Sequence, residues 1–256
     1  MQRTLKFLAV AMLLFLSGHA AAAFDISAQA LSTGYAGDDI KKWYGEISAS
    51  VPVGASITDE VFAFTVDLDA GPNFSQEYDV ASGKLELHYN MVFNQIAEGW
   101  SWDERADPDQ RDYYRFKFLP LGFDTASRHK PEMVELFPGK MVEVKNLWRY
   151  DYFLAFDNLY DFYERKVDDD AGFGASVPIQ AGEAKRLTEG KGVRMLALCR
   201  LMPPYHTESN TFWKATVAEP VDYTLRKRYL VGDLLEVWFY DSASGKVLAK
   251  VPRNRP

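Results

Sequence analysis

The residues best suited to chemistry lie in one short stretch, EGWSWDE. Glu98, Asp103 and Glu104 stand there beside Trp100 and Trp102. Indole faces pack well against sugar rings. Two carboxylates about 5 to 9 Å apart can break a glycosidic bond by acid and base catalysis. A sequence does not fix that separation. The same residues also suit a strand-to-loop transition in which the tryptophans bury against a sheet and the acids stay in water, the commoner fate of large aromatics. Trp100, Trp102, Asp103 and Glu104 are the candidate ligand-binding residues, and no residue is assigned a catalytic role.

Other chemistries are poorly supplied. The lone cysteine, Cys199, sits in the apolar run VRMLALCRL, where a small thiol is expected to be buried. His206 is near it in sequence, but Pro203 and Pro204 intervene, and no Gly-x-Ser-x-Gly elbow offers another nucleophile. Beyond residue 23 the histidines are His88, His129 and His206, in no metal-ligand spacing, so no metal and no cofactor is expected. Asp67, Asp69 and Asn73 in DLDAGPN faintly resemble the start of a calcium loop. The bidentate Glu such a loop needs at its end is missing. Asp168 to Asp170 read as a solvated turn.

Two near-identical stretches, YDVASGK from Tyr78 and YDSASGK from Tyr240, raise the question of a phosphate loop. Leu85 and Val247 follow the lysines where a Ser or Thr would hold magnesium, and the upstream glycine is absent. Alternating residues follow each lysine. The pair therefore predicts two hairpin turns, with Gly83 and Gly245 in the left-handed conformation.

Those turns belong to a chain dominated by period-two patterning. VFAFTVDL, KLELHYNMV, DYYRFKFL, MVEVKNLWRYDYF, VRMLALCRL, FWKATVA, LLEVWFYD and KVLAKV all read as strands. In DDIKKWYGEIS, Ile40, Trp43, Tyr44 and Ile47 instead form a helical stripe that Asp38 or Asp39 can cap. Shorter helical runs are expected in DNLYDFYERKV and around Ala184 and Leu187. Residues 101–112 and 124–133 read as loops. The fold class expected is mainly β, or α+β: an antiparallel sandwich- or barrel-like domain with a few peripheral helices. One such domain, with a helix near 38–49, would span residues 24–256.

The first 23 residues fit a secretory leader. Arg3 and Lys6 precede nine apolar residues, Leu8 to Leu16, and Ala21 to Ala23 suit a cleavage site. Nine apolar residues fall short of the about 20 a spanning helix needs, so no membrane span is expected. Loss of Arg3 and Lys6 takes the net charge from −7 to −9, which disfavours nucleic acid. A hydrophobic share of 47% marks a globular chain. With one cysteine there is no internal disulfide, so packing must supply stability. The expectation is a periplasmic or secreted β-rich protein, released near Ala23, that acts by binding or within a cell-envelope assembly. Its partner would be another envelope protein or a glycan. The alternative is a hydrolase of envelope glycans or other polysaccharide using paired carboxylates.

Overall fold

The computed structural model describes residues 24–49, 57, 59–71, 73–91, 116–162 and 172–254. The expected leader and the EGWSWDE stretch lie outside the described residues. So do the 101–112 segment and Asp168 to Asp170.

The sequence alternation folds into two sheets. In chain order the elements are α1 (Ile40–Ala49), β1 (Phe62–Val66), β2 (Phe74–Asp79), β3 (Lys84–Asn90), β4 (Lys117–Phe137) and β5 (Lys140–Phe156). A short 3-10 turn (Leu159–Asp161) precedes β6 (Gly172–Pro178), α2 (Ala181–Glu189), β7 (Val193–Trp213), β8 (Val221–Asp241) and β9 (Val247–Pro252). The larger sheet runs β1-β7-β8-β5-β4, and β9 also pairs with β8. The smaller runs β2-β3-β6. The fold is thus β-rich with few helices, as the alternation requires.

Pairing is antiparallel except between β5 and β8, which run parallel from Lys145 opposite Val221 to Ala155 opposite Val231. That exception follows from connectivity. The hairpins β4–β5 and β7–β8 are joined side by side, and a parallel pair needs a long crossover. Here β6, α2 and β7 supply it.

The core lies between the sheets. Phe62, Phe64 and Val66 of β1 meet Leu85, Leu87 and Tyr89 of β3, with Met195, Ala197 and Cys199 of β7 and Leu154 and Phe156 of β5. Helix α1 adds Ile40, Tyr44 and Ile47, the buried part of its stripe. Its cap is Asp39, whose Oδ1 accepts from the Lys41 and Lys42 N–H groups at 2.9 and 3.2 Å. Asp38 is used differently. Its Oδ2 accepts from the Ala63 N–H at 2.6 Å, tying the helix lead-in to β1.

The outer face of the large sheet is covered at one end by the segment before α1. Phe24, Leu31 and Tyr35 pack on Leu196, Leu198, Trp238 and Tyr240. Phe24 and Trp238 stand 5.3 Å apart, ring centre to ring centre. This cover explains why Ala63, Trp238 and Tyr240 are buried although they point away from the main core.

Both YD-x-ASGK stretches are turns. Gly83 N–H donates to the Asp79 carbonyl at 2.9 Å and Gly245 N–H to the Asp241 carbonyl at 2.8 Å. Their φ angles are +67° and +75°. Lys84 opens β3 opposite Asp79. The second copy does more. Asp241 is buried and paired to Arg186 of α2, so this turn clamps the helix to the sheet.

Several segments differ from expectation. Residues 124–133, read as a loop, are strand, because Asp124 to Glu132 pair with Tyr150 to Val144 of β5. FWKATVA is strand only to Trp213, and β8 begins at Val221, well before Leu234. The helix expected in DNLYDFYERKV is, within the described residues, the 3-10 turn Leu159–Asp161. β2 and β6, which lack clean alternation, form the outer strands of the small sheet.

Candidate functional site

Trp100, Trp102, Asp103 and Glu104 lie outside the described residues, so the site begins elsewhere. The large sheet curls until its two end strands meet. Asp67, just past β1, donates its N–H to the Pro120 carbonyl of β4 at 2.8 Å. Around this bond, among the described residues, the seam is lined by hollows.

Local sequence builds both lips. On one side, the stretch from Asp67 to Ala70 turns tightly: Asp67 Oδ1 accepts from the Asp69 N–H at 3.1 Å and the Asp67 carbonyl from the Ala70 N–H at 3.3 Å. This is the Asx-turn chemistry of aspartate, not a calcium loop. On the other side, β4 slips register between Pro120 and Gly122. Gly122 has φ +138°, and a side chain there would meet nothing within 4 Å. Such a bulge bends its strand, and among the described residues nothing fills the space a side chain at Gly122 would enter.

Three hollows adjoin at this turn, and Asp69 lines all of them. The largest, about 480 Å³, has Phe118, Pro120, Phe123 and Phe153 as apolar walls and Asp67, Asn73, Arg149 and Asp151 as polar ones. A second, about 260 Å³, lies on the helix side between Asp38, Phe64, Asp67, Leu121 and Arg194. The third, about 280 Å³, reaches Phe74, Gln76 and Lys191 at the small sheet. Apolar walls with a few convergent polar groups are typical of ligand sites.

The charges are unevenly committed. Arg149 Nε donates to Asp151 Oδ1 at 2.6 Å, and its guanidinium stands 4.6 Å from the Phe123 ring centre. That hydrogen bond raises the Arg149 pKa further. Lys191 pairs with Asp69 at 2.9 Å, which holds the Asp69 carboxyl below the usual range. Burial pushes the Asp38 carboxyl up, against the opposing bond from Ala63 N–H. Among the described residues, Asp67 has no cation within ion-pair distance.

A second polar cluster sits on the inner face of the sheet under α1. Arg228 lies 4.3 Å from the Tyr150 ring centre and 5.2 Å from that of Tyr44. Its Nε donates to Glu208 at 2.9 Å and its Nη1 to the Tyr152 hydroxyl at 3.1 Å. Arg226 shares Glu208 at 3.2 Å and stacks on Trp148 at 4.8 Å. Burial raises the Tyr44 pKa to about 12 and lowers that of His206. Most of these donors and rings engage one another, so the cluster reads as the polar seat of α1. Cys199 faces the core, fully buried, and burial drives its thiol pKa far up, which suits packing and not nucleophilic attack. Among the described residues no group of three or more His, Cys, Asp or Glu is placed to hold a metal ion, and no helix is long and apolar enough to cross a membrane.

No family model matches the chain, and neither a curated protein nor a solved structure is similar to it.

Sequence reasoning singled out Asp67 and Asp69, but for a calcium loop. Phe118 was legible as a strand residue. Phe123, Arg149 and Asp151 carried no signal, since nothing local says that β4 closes back on β1.

Proposed function

We propose that this is an exported protein of the bacterial cell envelope, periplasmic or secreted once its leader is removed near Ala23, which acts by binding and not by catalysis. The groove at the β1–β4 seam is the seat of its ligand. The observation that carries this reading is the 480 Å³ hollow lined by three phenylalanines together with Arg149 and Asp151, with Arg149 lying against the Phe123 ring. Its volume falls within the range of about 300 to 1,000 Å³ usual for ligand pockets.

The state of the carboxylates supports binding over hydrolysis. A glycosidase needs one acid with a raised pKa beside an ionised one. In the largest hollow, Asp69 is held down by Lys191 and Asp151 is paired to Arg149; Asp38, whose carboxyl burial pushes up, lines the neighbouring hollow and is committed to the Ala63 N–H. These are positioning roles. The partner is another envelope protein or a glycan. The acidic net charge weighs against nucleic acid.

Two measurements test the reading. N-terminal sequencing of the protein recovered from outside the cytoplasm should find a chain that begins at Phe24. Incubation with envelope polysaccharides should release no new reducing ends. Release that disappears in Asp103→Asn or Glu104→Gln would establish the hydrolase instead.

A further inference from the structure

Resting on the reading of the seam as a ligand groove, we infer that its ligand is a glycan of uncharged sugars, held through hydroxyl groups. Charge balance is the first ground. Asp67, Asp69 and Asp151 line the largest hollow. Arg149 pairs with Asp151 and Lys191 with Asp69. Arg194 lines the neighbouring hollow together with Asp67. Its Nη1 donates to backbone carbonyls, of Lys191 and Val193 at 2.9 and 3.1 Å, which leaves its charge to offset that of Asp67. Three carboxylates thus meet three cations. Asp38, also in the neighbouring hollow, is committed to the Ala63 N–H. A charged ligand would find no counter-charge waiting, and an uncharged one needs none.

Hydrogen-bonding capacity is the second ground. Asp151 gives Oδ1 to Arg149 and Asp67 gives Oδ1 to the Asp69 N–H, so each keeps its Oδ2. Arg149 commits its Nε and keeps its Nη groups. Carboxylates only accept and a guanidinium only donates, so a ligand that serves both must donate and accept, as a hydroxyl does. Beside them Phe118 and Pro120 form an apolar wall suited to the C–H face of a sugar ring. Phe123 is already taken by Arg149, at 4.6 Å. A peptide also donates and accepts, but it does so by joining a strand edge. Here the Asp67 N–H and the Pro120 carbonyl are spent on each other, and Pro120 has no N–H to offer.

The test is a chemical-shift titration of the 15N-labelled protein with six probes. Chitotriose, cellotriose and maltotriose are uncharged, the glucosamine trimer is cationic, trigalacturonate is anionic, and acetyl-Phe-Gln-amide stands for a polypeptide. At least one uncharged trisaccharide should move the amides of Asp67, Asp69 and Gly122. Both charged trimers should bind there at least about fivefold more weakly, the scale of one unmatched, partly exposed charge. Asp151→Asn leaves the Arg149 charge unmatched and should narrow or reverse the gap to trigalacturonate, with amides away from the seam unmoved. A gap unchanged in that variant, or a charged trimer within the fivefold margin in the parent, overturns the uncharged glycan and leaves the groove reading standing. Seam shifts with the peptide and with no sugar do the same and point to a protein partner. The absence of seam shifts with every probe overturns both readings.

Discussion

Asp67 N–H donates to the Pro120 carbonyl at 2.8 Å, and this bond ties the end of β1 to the bulge of β4. Two strands distant in sequence become the lips of one groove through it. Asp67 holds the turn that carries Asp69, and Pro120 opens the bulge that continues to Gly122 and Phe123. The apolar and the acidic halves of the site are positioned together.

The twin turns give a controlled comparison. At Gly83 an added Cβ meets nothing within 4 Å, whereas at Gly245 it runs into the Leu31 carbonyl, and both residues have positive φ. Gly83→Ala should cost about 1–2 kcal/mol from the left-handed conformation alone. Gly245→Ala should cost about 3 kcal/mol or more, because the clash adds to it. Urea denaturation midpoints decide this, and equal shifts would contradict it.

Asp241 predicts an acid limb of stability. Burial alone would raise its carboxyl pKa, but hydrogen bonds from Arg186, Ser244 and the Ala243 N–H outweigh that and hold it below the ordinary value. A depressed folded-state pKa contributes stability that is fully present above the unfolded value of about 3.9 and is lost as pH falls through the folded value. Asp241→Asn should cost about 1–3 kcal/mol near neutral pH. The gap between variant and parent should close below about pH 4. Denaturation curves at several pH values read both effects, and a gap unchanged into acid would refute the pairing.

Glu208 stands between two arginines, at 3.2 Å from Arg226 and 2.9 Å from Arg228. Glu208→Gln leaves two guanidinium groups facing a neutral amide beneath α1. The expected loss is about 1–3 kcal/mol. Arg228→Lys should also destabilise, since an ammonium cannot reproduce the planar stacking on Tyr150. Thermal unfolding measures both, and unchanged melting temperatures would show that the cluster does not hold the helix.

Cys199 is fully buried on the core face of β7. A thiol reagent should leave the native protein unmodified over hours and react completely in denaturant. Fast modification of the native state would mean that the β1–β7 pairing around Phe62 and Cys199 opens readily.

Much of the fold was legible because one face of each core strand is apolar. Leu85, Leu87 and Tyr89 announce β3, and Ile40, Tyr44 and Ile47 announce α1. The far part of β4 was not legible, since Asp124 to Ser127 and Lys130 to Met133 are exposed on both faces and the strand is held by backbone pairing to β5. Lys130 and Pro131 there resemble a loop because edge strands carry such residues as protection against further pairing. β6 was hidden by Gly172 and Gly174. Gly172 is required where its backbone crosses the Tyr89 carbonyl, in a place closed to any side chain. The groove was invisible for a different reason. It arises from sheet curl, which brings Asp67 to Pro120 without any motif that links them.

The central claim is that the β1–β4 seam binds a ligand, and a crystallographic soak with a mixture of amine, neutral and carboxylate fragments tests it most directly. Density is expected against Phe118, Phe123 and Asp67 at the seam. Fragments that bind elsewhere, with the seam unfilled, would contradict it.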